Sequence, residues 1–475
     1  MSHRSASGSA PGAVGPRRSA AALAATTLLA LACAPVFPEP LVAQEAVKPS
    51  ARFEPPSSPT AFPPTLGGLD ALSEGISANP GAVNVLTGTG RLGEALGFGP
   101  QSGIRIGGLW IGDANYLFAG GVEPRSWAFD SLLLVDVSLD FDRLLHIPGA
   151  QFGVEFLQFN ADNANAEAGS VTGYNSLPGP PPLDRTELYE LWWRQSLFDN
   201  KLFLRIGKSV TTAEFNNVVR PLPLHDDTLA IPAVSSLIYT PVFVNATLLG
   251  AMPGFYNSAY GVTTIFAPTR NFYLALGTYD GNLARGVQTG IKLLPEFNGY
   301  YFNVGEIGYA WHRPPHRMPG TVAVGAWRQT GELRAIGIGG SELAEDGAGG
   351  IYTFGSQRVW VRNPGVDNSG VIAFFQFGAN GSETLPVKTY FGAGLTGFGL
   401  VPGRPQDAMG AGVAVSWLNS NLGLRDNETL LQAYYQIEVV DGLTLQPTLT
   451  YIPNPGLSPS LSPATALTVR LTQLF

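Results

Sequence analysis

The sequence predicts an all-β fold: a transmembrane antiparallel β-barrel of sixteen strands, with long extracellular loops and short periplasmic turns. Three observations predict it. Only 13% of residues are charged, against about 25% in a typical soluble domain, while aromatics reach 11% and Gly (58) and Pro (38) are abundant. Apolar residues recur with period two in many short segments, the signature of strands with one greasy and one polar face. An export signal precedes them. No internal stretch approaches the ~20 uninterrupted apolar residues of a membrane helix, so a chain that crosses a membrane must do so with strands. Those strands must close on themselves, because lipid cannot satisfy a sheet edge.

The export signal is Arg17-Arg18 followed by the apolar run Ser19–Cys33, with a cleavage position after Ala43. A lipidated Cys33 and a twin-arginine signal both fit less well. Removing residues 1–43 takes three Arg and one Glu from totals of 28 and 36, leaving 25 basic and 35 acidic residues, a net −10. The mature chain then has no cysteine and needs no disulfide past the inner membrane. Such an anionic chain is ill suited to nucleic acid. Residues 44–66 are Pro/Ser-rich and read as an extended linker. Residues 67–100 are Gly-rich with a helical turn expected over Arg91–Leu96, a plug or a lining of the periplasmic mouth. Residues 101–475 form the barrel domain.

Strand cores are expected at Ile104–Leu117, Phe129–Phe141, Gln151–Asn160, Glu187–Leu197, Lys201–Thr211, Gly261–Ala267, Phe272–Tyr279 and Tyr300–Trp311. Eight more follow at Thr321–Gly331, Ile351–Val361, Val371–Gly378, Thr389–Leu400, Met409–Trp417, Thr429–Val439, Leu443–Ile452 and Thr465–Phe475. Sixteen is even, as bacterial single-chain barrels require. Alternation is clean where Leu133, Val135, Val137 and Leu139 oppose Asp136, Ser138 and Asp140, and where Leu431, Ala433, Tyr435 and Ile437 oppose Gln432, Tyr434, Gln436 and Glu438. Tight turns at Asp199-Asn200 and Asp441-Gly442 alternate with long loops at Ala161–Asp184, Asn216–Tyr260 and Arg334–Gly350. The β-like piece Leu237–Val244 is interrupted by Pro241, and a seventeenth wall strand would break the even count. It is therefore expected in a loop that folds into the lumen, where Asn216–Tyr260 would supply part of the constriction. The last strand ends in Phe475, the terminal aromatic that barrel-assembly machinery reads.

The stretch Thr186–Lys208 is the clearest hairpin. Glu190, Trp192 and Arg194 share one face of its first strand, and Tyr189, Leu191 and Trp193 the other. In a soluble sandwich the charged face would meet bulk water; in a barrel it lines the lumen. Leu188–Gln195, Leu197-Phe198-Asp199, Lys201, Arg205-Ile206-Gly207 and Glu214-Phe215 resemble the paired-strand motif of the carbohydrate-selective outer-membrane porins of OprB type. Leu144–Phe159, Gly403–Trp417 and Asn427–Gly456 resemble that family's early hairpin, a later strand and its closing hairpin, so the resemblance runs from about residue 104 to the end. The family's Trp-Gly-Gly-x-Arg segment is reduced to Gly67-Gly68-Leu69. The resemblance implies a sixteen-stranded outer-membrane barrel that passes sugars and other small hydrophilic solutes by diffusion, without an energy source.

A sugar pore needs groups that bond hydroxyls and aromatic faces for pyranose rings. By alternation the lining candidates are Arg105, Asp136, Asp140, Glu155, Glu190, Trp192, Arg194, Arg205, Glu438 and Arg470. For any one of them an ordinary solvated wall position is the simpler reading; a few are expected to meet solute. Trp193 and Tyr189, by phase, face lipid as girdle anchors. Enzymatic readings fare badly. Gly392-Ala-Gly394-Leu-Thr-Gly397 lies in a strand and lacks the helix that phosphate binding needs. His312 and His316 flank Pro314-Pro315 and read as a polar turn, with no third metal ligand. No His sits convincingly in a strand to pair with a catalytic Ser. Asn160–Asn165 lacks the EF-hand pattern. No cofactor or metal is expected. The alternatives are a plugged structural or adhesive barrel, and a hydrolase. Association into a homo-oligomer is left open by the sequence.

Overall fold

The computed structural model describes residues 89–475 apart from 100, 180, 217, 219–233, 255–256, 315–317 and 365–368. The export signal, the linker, most of the Gly-rich segment and His316 lie outside the described residues. Sixteen strands run around a closed barrel in chain order. The first eight are β1 (Ile104–Ala119), β2 (Trp127–Asp140), β3 (Ala150–Ala161), β4 (Arg185–Leu197), β5 (Leu202–Ser209), β6 (Ala259–Thr269), β7 (Phe272–Asp280) and β8 (Tyr301–Arg313). The others are β9 (Met318–Ile336), β10 (Glu342–Val361), β11 (Gly370–Asn380), β12 (Val387–Phe398), β13 (Ala408–Leu418), β14 (Asn427–Val440), β15 (Leu443–Ile452) and β16 (Ala464–Leu474). Every neighbour is antiparallel. Closure pairs β1 with β16 through Leu109↔Leu474 to Tyr116↔Leu467, so no strand edge is left without a partner.

Each expected strand core falls on one of these strands. Their period-two burial sorts the side chains by face. On β16 the alternate positions Ala464, Ala466, Thr468, Arg470, Thr472 and Leu474 are buried, and the residues between them are half-buried. Outward positions such as Phe266, Leu276, Ile307, Val324 and Ile351 are exposed apolar residues, the face a barrel offers to lipid. Among the described residues no helix is long and apolar enough to cross a membrane; the strands do the crossing.

Both chain ends of the barrel meet at the short-turn end. The Phe475 backbone exchanges hydrogen bonds with Gly108 at 2.9 Å, and its carbonyl also accepts from the Thr89 amide at 3.0 Å. A short helix, α1 (Arg91–Ala95), forms where a helical turn was expected. It packs close to the Ile106 backbone, and Arg91 pairs with Asp441 in the β14–β15 turn. The β4–β5 turn is held by Phe198, Asp199 and Asn200, all with φ between 54° and 61°. Asp and Asn tolerate this left-handed backbone because their short polar side chains bond locally, as Asn200 does with Ser196.

Four local expectations need correction. Arg334–Gly350 is not a loose loop: β9 and β10 pair through Ile336↔Glu342, leaving only a short turn at Ile338–Gly340. Tyr189 does not face lipid. The β3–β4 register slips there, from Glu155↔Glu190 to Phe156↔Leu188, so Tyr189 is a bulge residue. It turns inward and is fully buried against Leu157, Phe159, Leu177 and Val210. A bulge inserts one residue and reverses the phase beyond it, which period-two reading could not see. His312 lies in β8, paired with Pro319, because the strand runs two residues past its expected end. Phe141, expected as the last residue of a strand, instead opens the short helix α2 (Phe141–Leu145).

Candidate pore lining

Alternation and burial place all ten expected lining residues on the inward face. Nine are buried, with relative exposures of 3–8%, and Glu438 is half-buried. The barrel divides these into groups. On β1–β5 the side chains form one charged wall. Arg105 donates to Asp136 at 2.6 Å. Glu155 and Glu190 are direct cross-strand neighbours, as are Arg194 and Arg205. Trp192 donates its indole N–H to Glu190 Oε2 at 2.9 Å. Its ring lies where a side chain at Gly153 would have to be, and the Arg205 guanidinium stacks on it at 4.7 Å. Arg205 also pairs with Glu214 at 3.2 Å, and Arg194 stacks on Phe203 at 4.7 Å. These pairings and stackings keep the cations extended along the wall.

The other three candidates stand apart. Asp140 caps α2, accepting from the amides of Asp142 and Arg143 at 3.0 and 3.4 Å. Arg470 makes a fork onto Asp113, with bonds of 2.8 and 2.7 Å. Glu438 sits at the short-turn rim, where its backbone bonds Asp407 and Arg404. Asp407, just outside β13, also accepts a fork from Arg404 at 2.8 Å and the Tyr435 hydroxyl at 2.6 Å. Burial alone would raise this carboxyl, but those donors outweigh it and hold it below the usual carboxylate range.

Two loops enter the barrel. The described residues 234–254 lie inside and are almost all buried. They include α3, the turn Thr240–Phe243 with Pro241 at its start, so the β-like piece is no wall strand. This lumen segment hangs on uncharged side chains of β11, β14 and β15. The Ser236 amide donates to the Tyr434 hydroxyl at 3.0 Å and the Ile238 amide to Gln432 at 2.7 Å. Gln446 donates to the Ser236 carbonyl at 2.8 Å and Gln376 to the Val242 carbonyl at 3.2 Å. The close approach requires glycine at two wall positions. A Cβ at Gly378 would stand 2.3 Å from Asn245 Oδ1, and one at Gly412 would stand 2.4 Å from Leu237 Cδ1.

The β3–β4 loop closes over the same segment, with the Ser176 amide donating to the Ile238 carbonyl and the Thr240 amide to the Gly173 carbonyl. Glu428 at the top of β14 anchors that loop. Its carboxylate accepts from the amides of Val171 and Thr172, both at 2.9 Å, from the Ser170 and Thr172 hydroxyls, and from the Gly456 amide at 2.8 Å. Asn175 of the loop donates to Asp113 and Asn115 at 2.8 and 2.9 Å. The start of the β5–β6 loop is fixed by Glu306, which accepts from the Asn216 amide and from the hydroxyls of Tyr273 and Tyr352. Asn163 caps the turn Ala164–Glu167 and Asp162 accepts from the Phe129 amide, so the Asn/Asp-rich run builds a loop. Among the described residues no group of three His, Cys, Asp or Glu is placed to hold a metal ion.

Charge and aromaticity guided the choice of candidates, and so missed the glutamines. Gln376, Gln432 and Gln446 lie in the inward phase of their strands, which alternation alone could have flagged. Arg185 and Glu187 of β4, 3.5 Å apart and buried, were hidden by the bulge at Tyr189.

A closed sixteen-stranded barrel with a greasy outer face, a polar interior and inward-folded loops is an outer-membrane porin, integral to the bacterial outer membrane. The model of the carbohydrate-selective porin, OprB family, matches residues 128–475; the chain belongs to that family. Porin B of Pseudomonas aeruginosa is 21% identical over 418 residues, covering 77% of this chain and 86% of the relative. The high-pH structure of Pseudomonas putida OprB superposes with a TM-score of 0.69 at 17% identity, covering 84% of this chain and all of that one. The low-pH structure gives 0.51 at 15% identity, covering 81% and 96%. Members of the family are channels for small hydrophilic solutes, not enzymes, and the hydrolase and adhesin alternatives give way.

Proposed function

We propose that sugars cross this barrel by diffusion through the gap between the charged wall of β1–β5 and the lumen segment seated on β11–β15. The observation that carries the reading is that opposition: ion pairs along one side, a hydrogen-bonded neutral segment on the other. Solute hydroxyls exchange water for carboxylates and guanidiniums at Asp136, Glu155, Glu190, Arg105, Arg194 and Arg205. The lumen segment narrows the path, and charges of both signs disfavour ions of either sign. Trp192 acts by holding Glu190 and Arg205 in place. Asp140, Arg470 and Glu438 keep the rim and the β3–β4 loop in shape. At the periplasmic mouth, residues 89–99 sit beside Arg105 and serve as a collar, the described part of the Gly-rich segment 67–100. The Phe475 terminus is the handle for barrel assembly. The test is sugar-driven swelling of liposomes holding the purified protein. Swelling that is faster for neutral monosaccharides than for charged solutes of equal size is expected; rates equal to protein-free liposomes would sink the reading.

A further inference from the structure

The outer face of β6–β9 carries a cleft that the passage of solutes does not use. Two cross-strand rows line it and a third lies beneath, in continuous register. The lowest row is Phe266↔Leu274↔Ile307↔Val324, all apolar. Above it runs Thr264↔Leu276↔Gly305↔Ala326, where two small residues in succession hollow the surface. A Cβ at Gly305 would meet almost nothing but the end of Leu276, at 3.3 Å. The third row, toward the long-loop end, is Val262↔Thr278↔Asn303↔Arg328. There Thr278 donates to Asn303 at 3.0 Å, Asn303 to the Arg328 carbonyl at 3.4 Å, and exposed Arg328 to the Asp346 carbonyl at 3.1 Å. The upper two rows line an open cleft of about 550 Å³, with the apolar row directly beneath it.

The level of the cleft identifies its occupant. Apolar rows below a row of Thr, Asn and Arg mark the boundary between acyl chains and headgroups, where a cation on the lipid face costs little. Directly above, Tyr260 donates to the Leu293 carbonyl at 2.5 Å. It thereby fixes a loop that exposes Leu293 (69%), Leu294 (76%) and Phe297. Apolar residues on a loop at the rim, beside an exposed guanidinium, suit a membrane surface that is greasy beneath and anionic on top.

We infer that this cleft binds a phosphate-bearing lipid of the outer leaflet. One acyl chain lies over Gly305 and Ala326, the phosphate meets Arg328, and Thr278 and Asn303 contact the headgroup. The full-length porin in mild detergent is titrated with a bis-phosphorylated lipid A and with its dephosphorylated form, and retention is read by native mass spectrometry. Phosphorylated lipid is expected to be retained about tenfold better by the wild type than by Arg328→Gln, the loss of one charge-assisted contact. Ala326→Phe, which fills the cleft, lowers retention similarly, while Arg334→Gln, above the cleft, changes nothing. Single-channel conductance equal to wild type verifies that each variant is folded. Equal retention of the two lipids, or wild-type retention by both cleft variants, overturns the site. A dimer that forms without lipid and is lost in Ala326→Phe also overturns it, since the face would then join two copies.

Discussion

The wall β1–β5 and the wall β11–β15 are built from the same alternating pattern but filled by opposite chemistry. The first presents buried Arg, Asp and Glu that pair with one another or stack on rings. Between its two ends the second presents Gln and Tyr, which hold backbone groups of the lumen segment. The difference follows from what each wall must satisfy. A charge beside a water-filled path keeps its hydration in part and can meet solute, whereas a charge beneath a packed loop would be stranded. Neutral amides can both donate to and accept from a peptide backbone, so they suit the wall that carries a loop. On the proposed reading, one wall serves solute and the other serves the protein.

The strongest way to break this contrast is to remove the lumen segment. Replacing residues 234–252 by a short Gly/Ser linker is expected to raise single-channel conductance several-fold and to erase preference among sugars. Unchanged conductance would mean that the segment does not narrow the path. A graded version is Gly412→Leu, which drives a side chain into Leu237 and Tyr239. Overpacking of this kind costs about 1–3 kcal/mol; conductance should rise less than in the deletion, with added current noise.

The charged wall is tested by ion selectivity. Arg194→Ala with Arg205→Ala should move the reversal potential in a salt gradient toward cations, and Glu155→Gln with Glu190→Gln toward anions. Gln432→Ala should leave that potential in place, because its side chain faces a loop. Equal shifts from both walls would dissolve the distinction.

The smallest effect is expected at Asp407→Asn in the β12–β13 turn. Its folded-state pKa is depressed, so its contribution is present above the ordinary carboxylate pKa and lost as pH falls through the lower folded value. The variant should therefore melt about 2–4 °C below wild type at neutral pH, because it weakens the Arg404 fork onto a carboxylate that is itself buried. The gap should close as acid protonates Asp407 in the wild type. A gap that widens in acid would refute this reading of the turn.

Much of the fold was legible because period-two alternation survives through most of the strands, and lipid enforces it more strictly than water does. Inward phase was read well where no bulge intervened, as on β2 and β16. Tyr189, Arg185 and Glu187 were misread or missed because one inserted residue reverses the phase. The β9–β10 hairpin was read as a loop because its upper part, rich in Gly and charge, leaves the membrane and no longer needs to alternate.

By itself, then, the sequence determined the solvent of each strand face, the strand count and the family, since these rest on local pattern and on motifs. Which inward residues are taken up by inward-folded loops was decided only by the tertiary structure. Glu428 and Glu190 look alike in the sequence, each an acidic residue in the inward phase of a strand. Glu428 is consumed by five donors from two loops, whereas Glu190 accepts from the Trp192 indole and the Val210 amide and lies beside the neighbouring cations. That difference depends on where two loops fold inside a closed barrel, which no single strand encodes.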